Sequence, residues 1–440
     1  MRGNTEDALK SQDVCTKQQR IASLASQSPR MGFTSLNHLI DLDWLREAYR
    51  RTRKDAAAGV DDMTAMEYER NLEGRLADLL DRAKSGRYVA PPVKRVYIPK
   101  DQGDEMRPIG IPTLEDKILQ RAVVLLLEPI YEQDFVAWSY GFRPGRSAHQ
   151  ALEALWQAIM SMGGCWLIDA DITKFFDTLG KGHLREIVGH RVRDGMVRRL
   201  IGKWLSAGVM EEGVVSYPER GTPQGGVVSP TLSNIYLHEV LDQWFERDVK
   251  PRMRGRVFAI RYADDFVMGF EFEDDARRVM EVLPKRFARY GLAIHPEKTR
   301  LIDFRPPGKP GTEPPSFNFL GFTHHWDISR KGNPYVRRQT RKERLARALR
   351  SINKWCRINR HQSLPEQCRA LARKLRGHYN YYGVIGNGRR LDEFRFKVTC
   401  LWRKWLSRRS REKKLNWDKF NHILDRFPLP RAKIVQFGNA

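Results

Sequence analysis

Residues 257–270, VFAIRYADDFVMGF, place two adjacent carboxylates, Asp264 and Asp265, between two apolar runs. Such runs, bounded by a polar break, read as two strands of a hairpin with the acids at its tip. Aspartate is common in turns because its side chain satisfies nearby backbone groups. A turn alone therefore accounts for the pair, and so does a cation bound beside it.

A second acidic cluster of the same design bears on that choice. In CWLIDADITKFFDTL, Asp169 and Asp171 share strand parity and point to one face, with Asp171 at the strand exit. A strand end and a hairpin tip brought together would gather several negative charges. Burial and mutual repulsion would raise their pKa values, so the arrangement calls for cations. Oxygen ligands without His or Cys favour Mg²⁺, which keeps waters and completes its shell with substrate phosphates. Two such ions suit in-line phosphoryl transfer.

Charge is distributed very unevenly. From residue 331 onward there are 30 Lys and Arg against 7 Asp and Glu, a net +23 of the chain's +25, which leaves +2 for the first 330 residues. A basic block with interleaved aromatics and helical apolar spacing reads as a nucleic-acid surface. The 41% hydrophobic and 10% aromatic content is that of a folded chain. No apolar run approaches the roughly 20 residues of a membrane span, and the N-terminus has no apolar signal core. The five cysteines (15, 165, 356, 368, 400) form no CxxC pair, which fits a reducing cytoplasm and excludes the usual zinc frameworks.

The periodicities alternate irregularly between helix and strand. They predict an α+β fold: an antiparallel sheet with helices, followed by an all-α basic domain. VKRVYIPK and MRPIGIPTL form a hairpin, GTPQGG opens a long helix, PSFNFLGF is an aromatic strand, and helices run from about 335 to 416. His324 and His325 are expected in a loop or at the surface.

Asp171, an aromatic five residues later (Phe176), then TPQGG, then YADD follow the pattern of reverse transcriptases. RVYIPK…RPIGIPTLEDKILQRA, SYGFRPGRSAHQAL, DITKFFDTL, GTPQGGVVSPTLSNIYLHEVLD, RYADDFV, GLAIHPEKT and FNFLGF resemble, in order, the blocks of group II intron-encoded reverse transcriptases. The resemblance runs from about residue 36 to 430.

That resemblance implies a right-hand polymerase. A weakly ordered segment (1–35) would precede fingers with an N-terminal extension (36–165) and a palm with the catalytic site (166–330). A basic helical thumb, the maturase X domain (331–420), and a short tail (421–440) would follow. Asp171, Asp264 and Asp265 would be catalytic, and Asp171, Ile172, Asp264 and Asp265 the set for two Mg²⁺, with Mn²⁺ able to substitute. Asp264 would be an essential ligand, Asp265 a supporting one, and Asp169 structural or electrostatic.

Lys100, Arg107, Phe176, Gln224 and Lys298 would contact the dNTP, Phe176 excluding a 2′-hydroxyl. Phe319, Leu320, Gly321, Arg341, Lys342, Arg373, Lys374, Arg376, Tyr379 and Tyr381 would hold primer, template and intron RNA. The partners implied are group II intron RNA, an RNA template with DNA primer, target DNA and dNTPs, in a bacterial cytoplasmic ribonucleoprotein without membrane. The stretch after about residue 420 is too short for the DNA-binding and endonuclease domains of the longest family members. A domesticated or defence-associated polymerase, and an RNA-binding splicing cofactor with a vestigial polymerase, are the alternatives.

Overall fold

The computed structural model describes residues 3–99, 106–211, 213–217, 225–307, 313–409 and 415–435, with side chains from residue 12 onward. Lys100 and Gln224 lie outside the described residues. The chain forms two compact units: residues up to 100, 104–151 and 166–301 in the first, and 152–165 with everything from 302 in the second. These limits differ from the expected divisions at 165 and 330. The expected fingers and palm share one hydrophobic core, and the last strands of the expected palm group with the basic helices.

The first unit opens with helix α1 (Gly3–Gln27), where a weakly ordered segment is expected. Its mean hydropathy is low, which hides it from sequence, but Val14, Ile21 and Ala25 fall on one face and are buried. Gln18 Nε2 donates to Leu125 O (2.8 Å) and Lys17 pairs with Asp41 (2.8 Å), fixing the helix to its neighbours.

Helices α2 (Leu42–Arg50), α3 (Ala65–Glu69) and α4 (Leu72–Ser85) follow. Strands β1 (Val93–Pro99) and β2 (Met106–Ile111) make the expected hairpin. Helix α5 (Leu114–Tyr131) is buried on nearly every side and carries the core. Then come α6 (Ala148–Met162), β3 (Cys165–Ala170), α7 (Phe175–Thr178), α8 (Lys181–Arg191), α9 (Gly195–Leu205), β4 (Val209–Glu211) and β5 (Val214–Ser216). Helix α10 (Ser229–Leu237), β6 (Val257–Tyr262), β7 (Asp265–Phe270), α11 (Glu273–Ala288) and β8 (Arg300–Phe304) complete the series. One sheet has the order β2-β1-β4-β5 and another β6-β7-β3-β8. In the second, β3 is antiparallel to β7 from Trp166↔Phe270 to Ala170↔Phe266, which brings the residue after β3 toward the β6–β7 turn.

The second unit contains β9 (Ser316–Phe319), β10 (Phe322–Ile328) and β11 (Pro334–Thr340), and helices α12 (Lys342–Ile358), α13 (Leu364–Tyr382), α14 (Gly388–Leu406) and α15 (Trp417–Arg426). The basic region thus begins with a strand, β11, where helix is expected from 335. Trp156 Nε1 donates to Val336 O (2.8 Å) and Arg338 pairs with Glu153 (3.0 Å), which explains why the end of α6 belongs to this unit.

His324 is fully buried, not at the surface. It stacks on Phe317 (4.7 Å), and burial, then Arg338, push its pKa down to about 3. Among the described residues no helix is long and apolar enough to cross a membrane.

If α1 is integral to the first core, Ile21→Ala destabilises the protein by about 2–4 kcal/mol, read by urea unfolding. An unchanged midpoint would return residues 1–35 to the weakly ordered class.

Candidate active site

Strands β6 and β7 pair in register up to Tyr262↔Asp265, leaving Ala263 and Asp264 as a two-residue turn. Ala263 has φ 59°, a left-handed value at a turn position usually given to glycine. A residue with a Cβ stays there only where its surroundings hold it.

Arg261 supplies that hold. Its side chain and that of Asp242 are both 0% exposed. Its Nε and Nη2 donate to both Asp242 carboxylate oxygens (2.8 and 2.5 Å), and its Nη1 donates to Asn234 Oδ1 (2.9 Å) and Ala263 O (3.1 Å). Asn234 Nδ2 donates to Gly141 O (2.7 Å). Gly141 lies so close to the turn that a Cβ there would stand 2.2 Å from Ala263 N. The SYGFRPG segment is thus a backstop for the acidic turn: Arg261 N–H donates to Trp138 O (3.0 Å), and Tyr140 N–H to Arg261 O (2.9 Å). Asp242 stands where α10 widens into a π-helical stretch, His238–Asp242, in which Gln243 N–H reaches back to His238 O. Sequence reading anticipates one regular helix there. Neither the π stretch nor the roles of Arg261, Asp242 and Asn234 carry a sequence signal beyond an arginine inside an apolar strand.

Opposite the turn, Asp171 leaves β3. Its carbonyl accepts from His295 N–H (2.8 Å), and Thr173 N–H donates to Ala293 O (2.8 Å), so residues 293–299 line the strand exit. Lys298 Nζ donates to Asp171 Oδ2 (3.0 Å), and Arg300 pairs with Asp169 (3.1 Å). Asp169 is thus an ion-pair partner of Arg300. Ile172 has a buried side chain and bridges Ile294 through its backbone.

Loss of water raises the Asp264 carboxyl above its usual range and the Asp171 charge raises it further, with Arg107 and Arg261 opposing. Four expected site residues are thus linked in series: Arg107 and Asp171 both act on Asp264, and Lys298 pairs with Asp171. Asp265 begins β7 and is exposed. Phe176 is half-buried, edge-on to Phe175 (5.2 Å) at the margin of the core.

Gly225 has φ 112°, and a Cβ on it would stand 2.3 Å from Gly110 O. Gly225 therefore lies directly against Gly110 of β2, the strand that also carries Arg107. Among the described residues, no three His, Cys, Asp or Glu side chains lie close enough to form a metal site by themselves. The donor set that does form, two carboxylates with like-charge strain, fits an ion that takes one or two carboxylates and fills its shell with water and phosphate.

In the second unit the expected nucleic-acid contacts divide in two. Phe319 (4% exposed) and Tyr379 (3%) are core residues whose rings are covered, which corrects their expected contact role. Tyr379 sits in the cluster with Leu375 and Phe394, its hydroxyl donating to Pro430 O (3.3 Å). Leu320 and Gly321, with φ 49° and 80°, form the β9–β10 turn. Tyr381 donates its hydroxyl to Leu320 O (2.9 Å). Arg341 pairs with Glu343 (2.8 Å), while Lys342, Arg373, Lys374 and Arg376 are exposed.

Asp171 at a strand exit and Asp264 in the β6–β7 turn thus share one electrostatic neighbourhood with Lys298 and Arg107. Residues 98–324 match the family "Reverse transcriptase (RNA-dependent DNA polymerase)", and the chain belongs to that family. It is 37% identical over 289 residues to Protein YkfC of Escherichia coli, covering 58% of this chain and 75% of that protein. It is 34% identical over 283 residues to the group II intron-encoded protein LtrA of Lactococcus lactis, covering 61% of this chain but 46% of LtrA. A nuclear intron maturase 2 of Arabidopsis thaliana is 28% identical over 176 residues, 31% of this chain and 24% of that protein.

Removing one partner of a buried ion pair costs about 3–5 kcal/mol. Arg261→Met lowers unfolding stability on that scale, and the double variant Arg261→Met/Asp242→Leu recovers much of it. Equal loss in both would refute the ion-pair account. Burial opposes the Asp242 charge, yet Arg261 holds its pKa below the usual value. Its stabilisation is therefore present above about pH 4, the unfolded carboxylate pKa, and is lost as pH falls through the lower folded value. Asp242→Asn flattens this acid limb in unfolding curves measured against pH.

Proposed function

We propose that the chain is an RNA-directed DNA polymerase encoded by a group II intron, which binds its intron RNA, assists splicing and copies it by target-primed synthesis. The supporting observation is the facing pair Asp171 and Asp264, strained by like charge and flanked by Lys298 and Arg107. In this reading the first unit combines fingers and palm, and α12–α14 form the thumb.

Asp171 and Asp264, with Asp265 and the backbone at Ile172 supporting, would hold Mg²⁺. When bound, the metal lowers the pKa of a primer 3′-hydroxyl and offsets phosphate charge. The chain's residues do the rest. Arg107 and Lys100 bind the triphosphate, for which an arginine fork is geometrically suited. The 225–226 glycines let backbone approach the nucleotide without a Cβ in the way, beside Gln224. Phe176 presents its ring below the sugar and leaves no room for a 2′-hydroxyl. Lys298 moves from Asp171 toward the phosphates as these enter. The primer hydroxyl then displaces pyrophosphate from the dNTP.

On the second unit, Lys342, Arg373, Lys374 and Arg376 neutralise phosphates of RNA, which makes the affinity salt-dependent. The names of LtrA and the Arabidopsis maturase support intron RNA as that partner.

Asp264→Asn abolishes dNTP incorporation on poly(rA)–oligo(dT) while RNA binding stays near normal. A mutant that still polymerises refutes the assignment of Asp264. Neutralising Lys342, Arg373, Lys374 and Arg376 together weakens RNA binding and flattens its salt dependence, by about 0.7–0.9 in log–log slope per lost phosphate contact.

A further inference from the structure

The first 330 residues are nearly charge-balanced, yet the span 181–203 holds 7 Lys and Arg against 2 Asp and Glu. It is the antiparallel pair α8 and α9. One of its two acids, Asp194, is internal: its carboxylate accepts from Met196 N and Val197 N at the start of α9 and from Leu36 N and Asn37 N. Arg191 is buried against Asp134 (2.8 Å), and Lys203 donates to Gly86 O (2.7 Å). These groups rivet the helix pair to the core and contribute little to its surface.

Arg185, Arg193, Arg198 and Arg199 are all exposed, and no carboxylate among the described residues pairs with any of them. Other exposed arginines of the same unit do have acid partners, among them Arg53 with Asp55, Arg87 with Asp81, Arg256 with Glu271 and Arg277 with Glu273. The four on α8–α9 are distinguished by being clustered on one helix pair.

Their placement is specific. Each lies along a glycine, where no side chain lifts it from the backbone. A Cβ on Gly202 of α9 would stand 3.8 Å from Arg185 of α8, and one on Gly189 of α8 would stand 3.6 Å from Arg198 of α9. The two arginines thus cross the helix seam in opposite senses. Arg185 Nη2 also donates to Ser206 Oγ (3.1 Å). Arg199 lies 3.5 Å from the corresponding point at Gly195, and Arg193 lies across Gly32. The neighbouring Lys181 is held below its ordinary pKa, by burial first and by the charge of Arg185 second.

Flattened guanidinium groups have already lost part of the rotamer freedom that phosphate binding would cost. A lysine-rich solubilising face would need none of these features.

We propose that the α8–α9 face, through Arg185, Arg193, Arg198 and Arg199, is a second RNA-backbone surface of the first unit, separate from the catalytic carboxylates and from the basic helices. It rests on the reading of the chain as an RNA-binding polymerase and extends where that RNA is held. The ligand class is the phosphate backbone of duplex RNA.

The test compares the full-length protein with the triple variant Arg185→Glu/Arg198→Glu/Arg199→Glu and with the Lys342/Arg373/Lys374/Arg376 neutralised variant. Each is titrated with a labelled 30-base-pair RNA duplex and a DNA duplex of equal length at several salt concentrations. The triple variant is expected to bind the RNA at least tenfold more weakly and with a salt slope lower by about 2. Its loss on DNA should be smaller, and dNTP incorporation on a short primer–template should be unchanged.

RNA affinity within twofold of wild type overturns the proposal. If the other variant weakens in that experiment, only the α8–α9 surface is refuted; if neither weakens, the RNA-binding reading falls too. Equal losses on RNA and DNA overturn the choice of RNA. The milder triple Arg→Gln variant, with thermal unfolding as the control, separates lost charge from lost fold.

Discussion

The acidic turn exists because Arg261 is paired in the dark. A guanidinium and a carboxylate that both lack water are stable only while they face each other and their remaining donors are used. Arg261 meets both conditions, spending two donors on Asp242 and its third nitrogen on Asn234 and the Ala263 carbonyl. Three separate stretches, the SYGFRPG loop, the widened end of α10 and the β6 strand, are thereby tied to one turn. The position of Asp264 relative to Asp171 is set by this network and by the β3–β7 register. The hairpin's own turn propensity would not set it.

Around that fixed point the charges are graded. Burial, and then the charge of Asp171, raise the cost of ionising Asp264. Lys298 and Arg300 lean in on Asp171 and Asp169 from the 293–300 segment. Arg107 reaches the same field from β2. The first unit is almost neutral as a whole, so these local imbalances are not diluted by a general excess of one sign. The second unit is a polycation whose apolar stripe is filled by Leu345, Leu371, Phe394 and Trp402.

Much of this was legible in the sequence. Alternating apolar runs gave the β6–β7 hairpin, and shared parity placed Asp171 at a strand exit. The charge count marked off the basic helices. What was missed has identifiable causes. Helix α1 is mostly polar, and its few buried contacts with α5 are long-range. Tyr379 and Phe319 occupy periodic positions that serve core and contact surface equally well, and only packing decides between them. His324 lies on a strand facing Phe317, a partner seven residues away that a hairpin alone brings close. Arg261 reads as a surface cation, because nothing local shows that its counter-ion sits 19 residues earlier.

The π-helical stretch His238–Asp242 makes the chain intolerant of changes in length. Each residue of a helix turns the next by about 100°. Deleting or inserting one residue between Asn234 and Asp242 would swing one of Arg261's two partners by about 100° around the helix, out of reach of the guanidinium. The segment acts as a phase marker. The count of eight steps from Asn234 to Asp242 is fixed by a guanidinium that must reach both.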